Sequence, residues 1–130
     1  MMKTLAFVLA MLLPTAVPAD TYLLMAEEKG CSWCARWNAE IAPIYPKTLE
    51  GQAAPLRRYD LHATTPDAQL QRGVRFTPTF ILIEDGLEVG RIEGYPGEDF
   101  FWGLLGMMLD RAGIDWKQAG QGKQFRDNQS

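Results

Sequence analysis

Two hydrophobic patterns alternate along this chain. Tyr22 to Ala26 is a short apolar run closed by Glu27-Glu28-Lys29, which predicts a strand. Gly30 then permits a turn into a helix starting near Cys31. Cys34, Trp37, Ile41, Ile44 and Thr48 recur every three or four positions, a stripe for the core. Pro43 and Pro46 predict a kink or an end near Ala42, because the residue before a proline disfavours helical geometry. Leu56 to Leu61 is a weaker strand, and Thr65-Pro66-Asp67 predicts a helix start with Gly73 as its stop. Phe80-Ile81-Leu82-Ile83 is continuous and apolar, as in a strand buried on both faces. Asp85-Gly86 predicts a tight hairpin into Leu87 to Glu93, where the alternation slips and Gly90 marks a bulge. After Tyr95-Pro96-Gly97, Glu98 and Asp99 suit a helix N-terminus. Phe100, Phe101, Leu104, Leu105, Met108 and Leu109 then form one wide apolar face that ends before Gly113. This order predicts an α/β fold, a mixed central sheet flanked on both faces by helices.

The two ends read differently. Lys3 precedes the uncharged run Leu5 to Leu13, which falls short of the ~20 apolar residues a bilayer span needs. Pro14 ends that run, and Val17-Pro18-Ala19 offers small residues for a cut after Ala19. Residues 1–19 are therefore expected to be a signal peptide, with a folded domain over 20–116 and a polar, disordered tail over 117–130. Export places the protein where disulfides form, as in a bacterial periplasm.

Composition narrows the function. The chain has 130 residues, 47% of them hydrophobic and 22% charged, which suits one globular domain and excludes a disordered chain. A formal charge of −3 argues against a nucleic-acid partner. A monomer is expected.

The chemistry centres on Cys31-Ser32-Trp33-Cys34. A zinc site needs four ligands, and His62 is the one histidine in the chain. Haem attachment needs a histidine where Ala35 stands. Paired thiolates suit Cu(I), so a copper-carrying motif stays open. A structural staple over so short a loop contributes only about 2 kcal/mol, against about 4.7 kcal/mol for a hundred-residue loop. Thiol–disulfide chemistry uses every neighbouring feature. At a helix N-terminus the Cys31 sulfur meets unpaired amides and the positive end of the dipole, both of which favour thiolate. Cys34 lies one turn on, within reach of a mixed disulfide at Cys31. Lys29 should favour that thiolate, while Glu27 and Glu28 should oppose it. Trp33 is expected at the rim of a substrate groove, Trp37 in the core and His62 in a solvated loop. Phe101 and Trp102 are expected to dock the last helix.

Gly30-Cys31-Ser32-Trp33-Cys34 after a strand, followed by Gly73-Val74-Arg75-Phe76-Thr77-Pro78-Thr79-Phe80, resembles thioredoxin. Asp85-Gly86 at the hairpin, Gly94 after the last strand and the amphipathic final helix continue the similarity, over roughly Tyr22 to Leu109. The resemblance implies a thioredoxin-like fold in which the Thr77–Pro78 bond is cis and lies against the cysteine pair. It further implies that Thr77 pairs its backbone with a substrate strand, and that Gly94 lets that strand approach. Trp37, Ile41-Ala42-Pro43-Ile44-Tyr45-Pro46-Lys47-Thr48, Arg75 to Thr79 and Gly94 to Gly103 are similar to the SoxS-type periplasmic thioredoxins of sulfur-oxidation (Sox) systems.

That family implies a protein thiol–disulfide oxidoreductase, reducing a cysteine on a partner such as the Sox sulfur-carrier protein and fed by a membrane thiol–disulfide donor. Cys31 would be the nucleophile and Cys34 the resolving thiol. The redox group would be the pair itself, with no metal or organic cofactor. Two departures stand out. Leu23-Leu24-Met25 occupies the strand where thioredoxin carries a buried aspartate, so no carboxylate base is assigned for Cys34. The Ser32-Trp33 dipeptide lacks the histidine that helps make some relatives strong oxidants, which favours the reductase direction. A Cu(I)-binding thiol chaperone on the same scaffold is the alternative.

Overall fold

Continuous apolar runs need partners on both faces and both edges, and two strands of this protein are placed accordingly. The computed structural model describes residues 20–118. The expected signal peptide and all but the first two residues of the expected tail lie outside them. Strand β1 (Thr21–Glu27) pairs parallel with β2 (Leu56–Asp60) and antiparallel with β3 (Thr79–Glu84), which pairs antiparallel with β4 (Leu87–Glu93). The sheet order is β2-β1-β3-β4, so the two most apolar strands are central.

Strand alternation divides the core. Leu23, Met25, Phe80, Leu82 and Ile92 face helices α1 (Ser32–Glu40) and α3 (Glu98–Arg111), which supply Cys34, Trp37, Phe101, Leu105, Met108 and Leu109. Trp37 is fully buried, with ring centroids 5.0 Å from Phe80, 5.7 Å from Phe101 and 6.1 Å from Tyr45. Helix α1 stops at Glu40, ahead of Pro43, as the prolines predict. The predicted stripe ends with it: Ile44 is exposed, and Thr48 caps the short helix α2 (Leu49–Ala53) by accepting the Gly51 N–H at 3.0 Å. Tyr45 anchors this corner by donating its hydroxyl to the Ala54 carbonyl at 2.6 Å.

The predicted face of α3 is narrower than expected. Phe101, Leu105, Met108 and Leu109 are buried, whereas Phe100 and Leu104 are exposed, Phe100 by 71%. They fall one position off the stripe, about 100° round the helix. Trp102 stacks on Tyr45 at a centroid distance of 6.1 Å.

The opposite face corrects the predicted helix from Thr65 to Gly73. Residues 61–78 contain no helix; Ala68, Leu70 and Val74 cover Tyr22, Leu24, Ala26, Tyr59, Ile81 and Ile83 as an irregular segment. Its backbone is committed elsewhere. The Gln69 N–H donates to the Gly86 carbonyl at 2.8 Å, and the Gln69 carbonyl accepts the Glu88 N–H at 3.0 Å. Those bonds extend the β4 edge and leave Gln69 no helical partners. Helices therefore cover the first face, while a strap covers the second.

A buried ion pair holds this strap. Arg91 donates through Nε to Glu88 at 2.8 Å and through its terminal nitrogens to the carbonyls of Arg72 and Gly73. Glu88 also accepts the Gln71 N–H at 3.1 Å, and both charged side chains are almost wholly buried. Burial works hardest against ionising Glu88. The bonds from Arg91 and Gln71, with the charges of Arg91 and Arg72, outweigh it and hold the carboxyl below the ordinary glutamate range.

The hairpin conforms to its sequence. Asp85 (φ 52°) and Gly86 (φ 79°) are both left-handed, as a two-residue turn of this twist demands. Leu82 pairs with Gly90 but Ile83 with Glu88, leaving Val89 as the extra residue of the predicted bulge.

Three stability outcomes are expected. Arg91→Met leaves Glu88 charged and unpaired, and should cost about 3 kcal/mol in urea unfolding. Because the folded-state pKa of Glu88 is depressed, its ionisation stabilises the fold above the ordinary value of 4.5, and that stability is lost as pH falls through the depressed value. The gap between wild type and Glu88→Gln should therefore close in acid. Gly51→Ala should lower the melting temperature, although alanine in a helix ordinarily gains about 1 kcal/mol over glycine. A Cβ there runs into the Tyr45 carbonyl.

Candidate active site

The turn after β1 delivers both cysteines to one place. Gly30 takes φ 78°, and Cys31 becomes the N-cap of α1 in an extended conformation. Its sulfur accepts the Cys34 N–H at 3.1 Å, and no acidic residue sits in the first turn. The Cys31 and Cys34 sulfurs are joined as a disulfide, with Cα atoms 5.2 Å apart. Cys31 is partly exposed and Cys34 only 4% exposed, packed in the same cluster as Leu23 and Met25 of β1. An amide donor and the dipole end thus meet the outer sulfur, while apolar groups surround the inner one.

Two loops meet the start of α1 beside this pair. The Thr77–Pro78 bond is cis, Pro78 is buried, and its carbonyl accepts the Gly94 N–H at 2.7 Å. Gly94 has φ 84°, a conformation costly to a residue with a Cβ. Thr79 closes the turn by donating its hydroxyl to the Phe76 carbonyl at 2.6 Å. Between these loops lies a groove of about 370 Å³ lined by Trp33, Phe76, Thr77, Glu93, Gly94 and Tyr95. Trp33 and Phe76 are 51% and 59% exposed, an unusual state for two large aromatics.

The groove walls are braced from behind. Arg36 lies 5.6 Å from the Trp33 ring centroid and donates to Glu40 at 2.8 Å. Glu40 also accepts the Tyr95 hydroxyl. Arg36, then Tyr95, holds the Glu40 carboxyl below its usual range; burial, then the bond to Glu40, pushes the Tyr95 phenol up.

The structure brings Trp33, Thr77 and Gly94 into one groove and places Cys31, Cys34 and Pro78 at adjoining turns. It adds Phe76, Glu93 and Tyr95, which the motif reading did not single out. Phe76 belongs to the Arg75-to-Thr79 run, but its exposure is not legible in the sequence. Glu28 is the larger omission. Its carboxylate accepts the Thr77 hydroxyl at 2.7 Å and contacts His62 Nε2 at 2.8 Å, and its main-chain carbonyl accepts the Cys31 N–H at 3.4 Å. The Thr77 hydroxyl, then His62, lowers its pKa. His62 is exposed, as expected of a loop histidine, yet it is tied to the site.

Comparison with known proteins agrees with this geometry. No protein-family model matches the chain, and no curated protein does. Among solved structures, the reduced form of the periplasmic thioredoxin SoxS from Paracoccus pantotrophus is similar, at 52% sequence identity and a TM-score of 0.69. The alignment covers 72% of this chain and 99% of that one. Half the residues are identical over essentially the whole of that protein, and the chain belongs to the SoxS family of periplasmic thioredoxins.

Proposed function

We propose that this protein is a periplasmic reductant of protein disulfides, with Cys31 as nucleophile and Cys34 as resolving thiol. The observation that carries the reading is the N-cap position of Cys31, its sulfur on the Cys34 amide, beside the exposed groove of Trp33 and Phe76. In the reduced protein the Cys31 thiolate attacks one sulfur of a partner disulfide, and the partner's other sulfur leaves as thiolate. Cys34 gives its proton to that departing thiolate and attacks the Cys31 sulfur. This releases the partner's second thiolate and leaves Cys31–Cys34 oxidised. Two electrons pass to the partner, and a membrane thiol–disulfide donor restores the dithiol. Thr77 offers its backbone to the substrate strand, Pro78 keeps that edge beside the sulfurs, and Gly94 admits the strand. Trp33 contacts its side chains.

The relative's description as a periplasmic thioredoxin supports export of this chain too, and the SoxS kinship supports a cysteine of the Sox sulfur-carrier protein as the target. The copper alternative gains nothing from the geometry. Among the described residues no three His, Cys, Asp or Glu side chains cluster as a metal site.

Cys34→Ser should strand the mixed disulfide and capture the partner on non-reducing gels, while Cys31→Ser should capture little. In a thiosulfate-grown sulfur oxidiser, mass spectrometry of the adduct should identify the sulfur-carrier protein. A housekeeping disulfide-relay protein as the sole adduct would overturn the pathway, and equal trapping by both variants would overturn the roles. Amino-terminal sequencing of exported protein should begin at Asp20, and a retained Met1 would refute the processing.

A further inference from the structure

Glu28 stands outside the mechanism above, yet it joins three loops at the site. It follows the end of β1 and precedes Cys31 by three residues, so its main chain belongs to the turn that sets the nucleophile. Its side chain reaches a residue 49 positions away, accepting the Thr77 hydroxyl at 2.7 Å in a part-buried, charge-assisted bond. The other carboxylate oxygen contacts His62, whose own N–H donates to Asp60 at 2.8 Å beyond the end of β2. A carboxylate placed only for solubility would not span these loops.

We propose that Glu28 is a positioning residue that fixes Thr77 against the Cys31 turn and thereby sets affinity for an extended peptide strand carrying the target disulfide. The proposal rests on the reading of Thr77 as the strand-pairing residue. Thr77 is held from one side by this bond, and its neighbours are held from the other by the Pro78–Gly94 and Thr79–Phe76 bonds. Loss of the Glu28 tie therefore loosens the binding edge while the loop stays folded. The sulfurs keep their N-cap geometry, so the loss falls on strand binding rather than on exchange.

The test follows single-turnover oxidation of pre-reduced protein by a disulfide-bearing peptide at rising concentration. Glu28→Ala should raise the half-saturating concentration about fivefold, the worth of one net hydrogen bond, and change the limiting rate less than about twofold. Glu28→Gln should recover most of the affinity, because its amide oxygen accepts the same hydroxyl. Thr77→Val should match Glu28→Ala, and the double variant should be no worse than either, since both remove one contact. Additive losses, a loss confined to the limiting rate, or a Gln variant as weak as Ala would overturn the proposal. Amide exchange at Gly94, whose N–H donates to the Pro78 carbonyl, reads the tie without turnover and should quicken in Glu28→Ala; unchanged exchange would also overturn it. A wild-type protein that reduces no peptide disulfide would instead refute the proposed function, leaving the exchange measurement to decide the tie.

Discussion

The packing of Trp37 on Phe80 sets the rest of this protein in place. Trp37 lies one turn beyond Cys34 on α1, and Phe80 lies two residues beyond Pro78 on β3. Seating one ring on the other at 5.0 Å brings the cysteine turn and the proline turn to the same end of the sheet. Phe101 completes the contact from α3, so the three elements share one aromatic centre. Burying such rings removes roughly 150–250 Å² each from water, a larger gain than any polar contact at the surface offers. Among the described residues the Trp37 indole N–H has no partner, a cost the ring packing outweighs.

Polar contacts then refine what the aromatics assemble. The Pro78 carbonyl on the Gly94 amide joins the start of β3 to the end of β4, and Glu28 joins the same turn to the cysteine loop. On the far face the Glu88–Arg91 pair fastens the strap that leads into Thr77. The two faces of the sheet are thus stabilised differently, by apolar helix packing on one and by a thin apolar strap secured by buried charge on the other. The redox pair lies at the margin of the first face, where Cys34 is enclosed by apolar groups and Cys31 reaches solvent.

Much of this was legible from local pattern. The strands at Tyr22 and Phe80, the Asp85-Gly86 turn, the bulge at Val89 beside the predicted Gly90 and the stop of α1 before Pro43 all follow from properties of a few adjacent residues. The predicted helix at Thr65 failed because its cues, a proline and a later glycine, say nothing about backbone partners on a distant strand. Gln69 bonds to Gly86 and Glu88, and that edge exists only once the hairpin has formed. Phe100 and Leu104 failed similarly, since hydrophobicity alone did not say which part of a wide face the sheet would cover.

By itself the sequence determined the four strands, the tight hairpin and the cysteine pair at a helix start, because each depends on spacing within a few residues; the proline turn that answers the pair was legible only through the resemblance to thioredoxin. Tertiary structure alone decided which side chains share the groove and which carboxylate serves the site. Trp33, Phe76 and Tyr95 come together from a helix start and two loops, and Glu28 finds Thr77 across 49 positions. A carboxylate three residues before a cysteine reads as a charge opposing thiolate; folding turns its oxygens instead towards Thr77 and His62. The difference is physical: local geometry follows from the chain's own dihedral preferences, whereas a hydrogen bond between distant residues exists only after packing has set their separation.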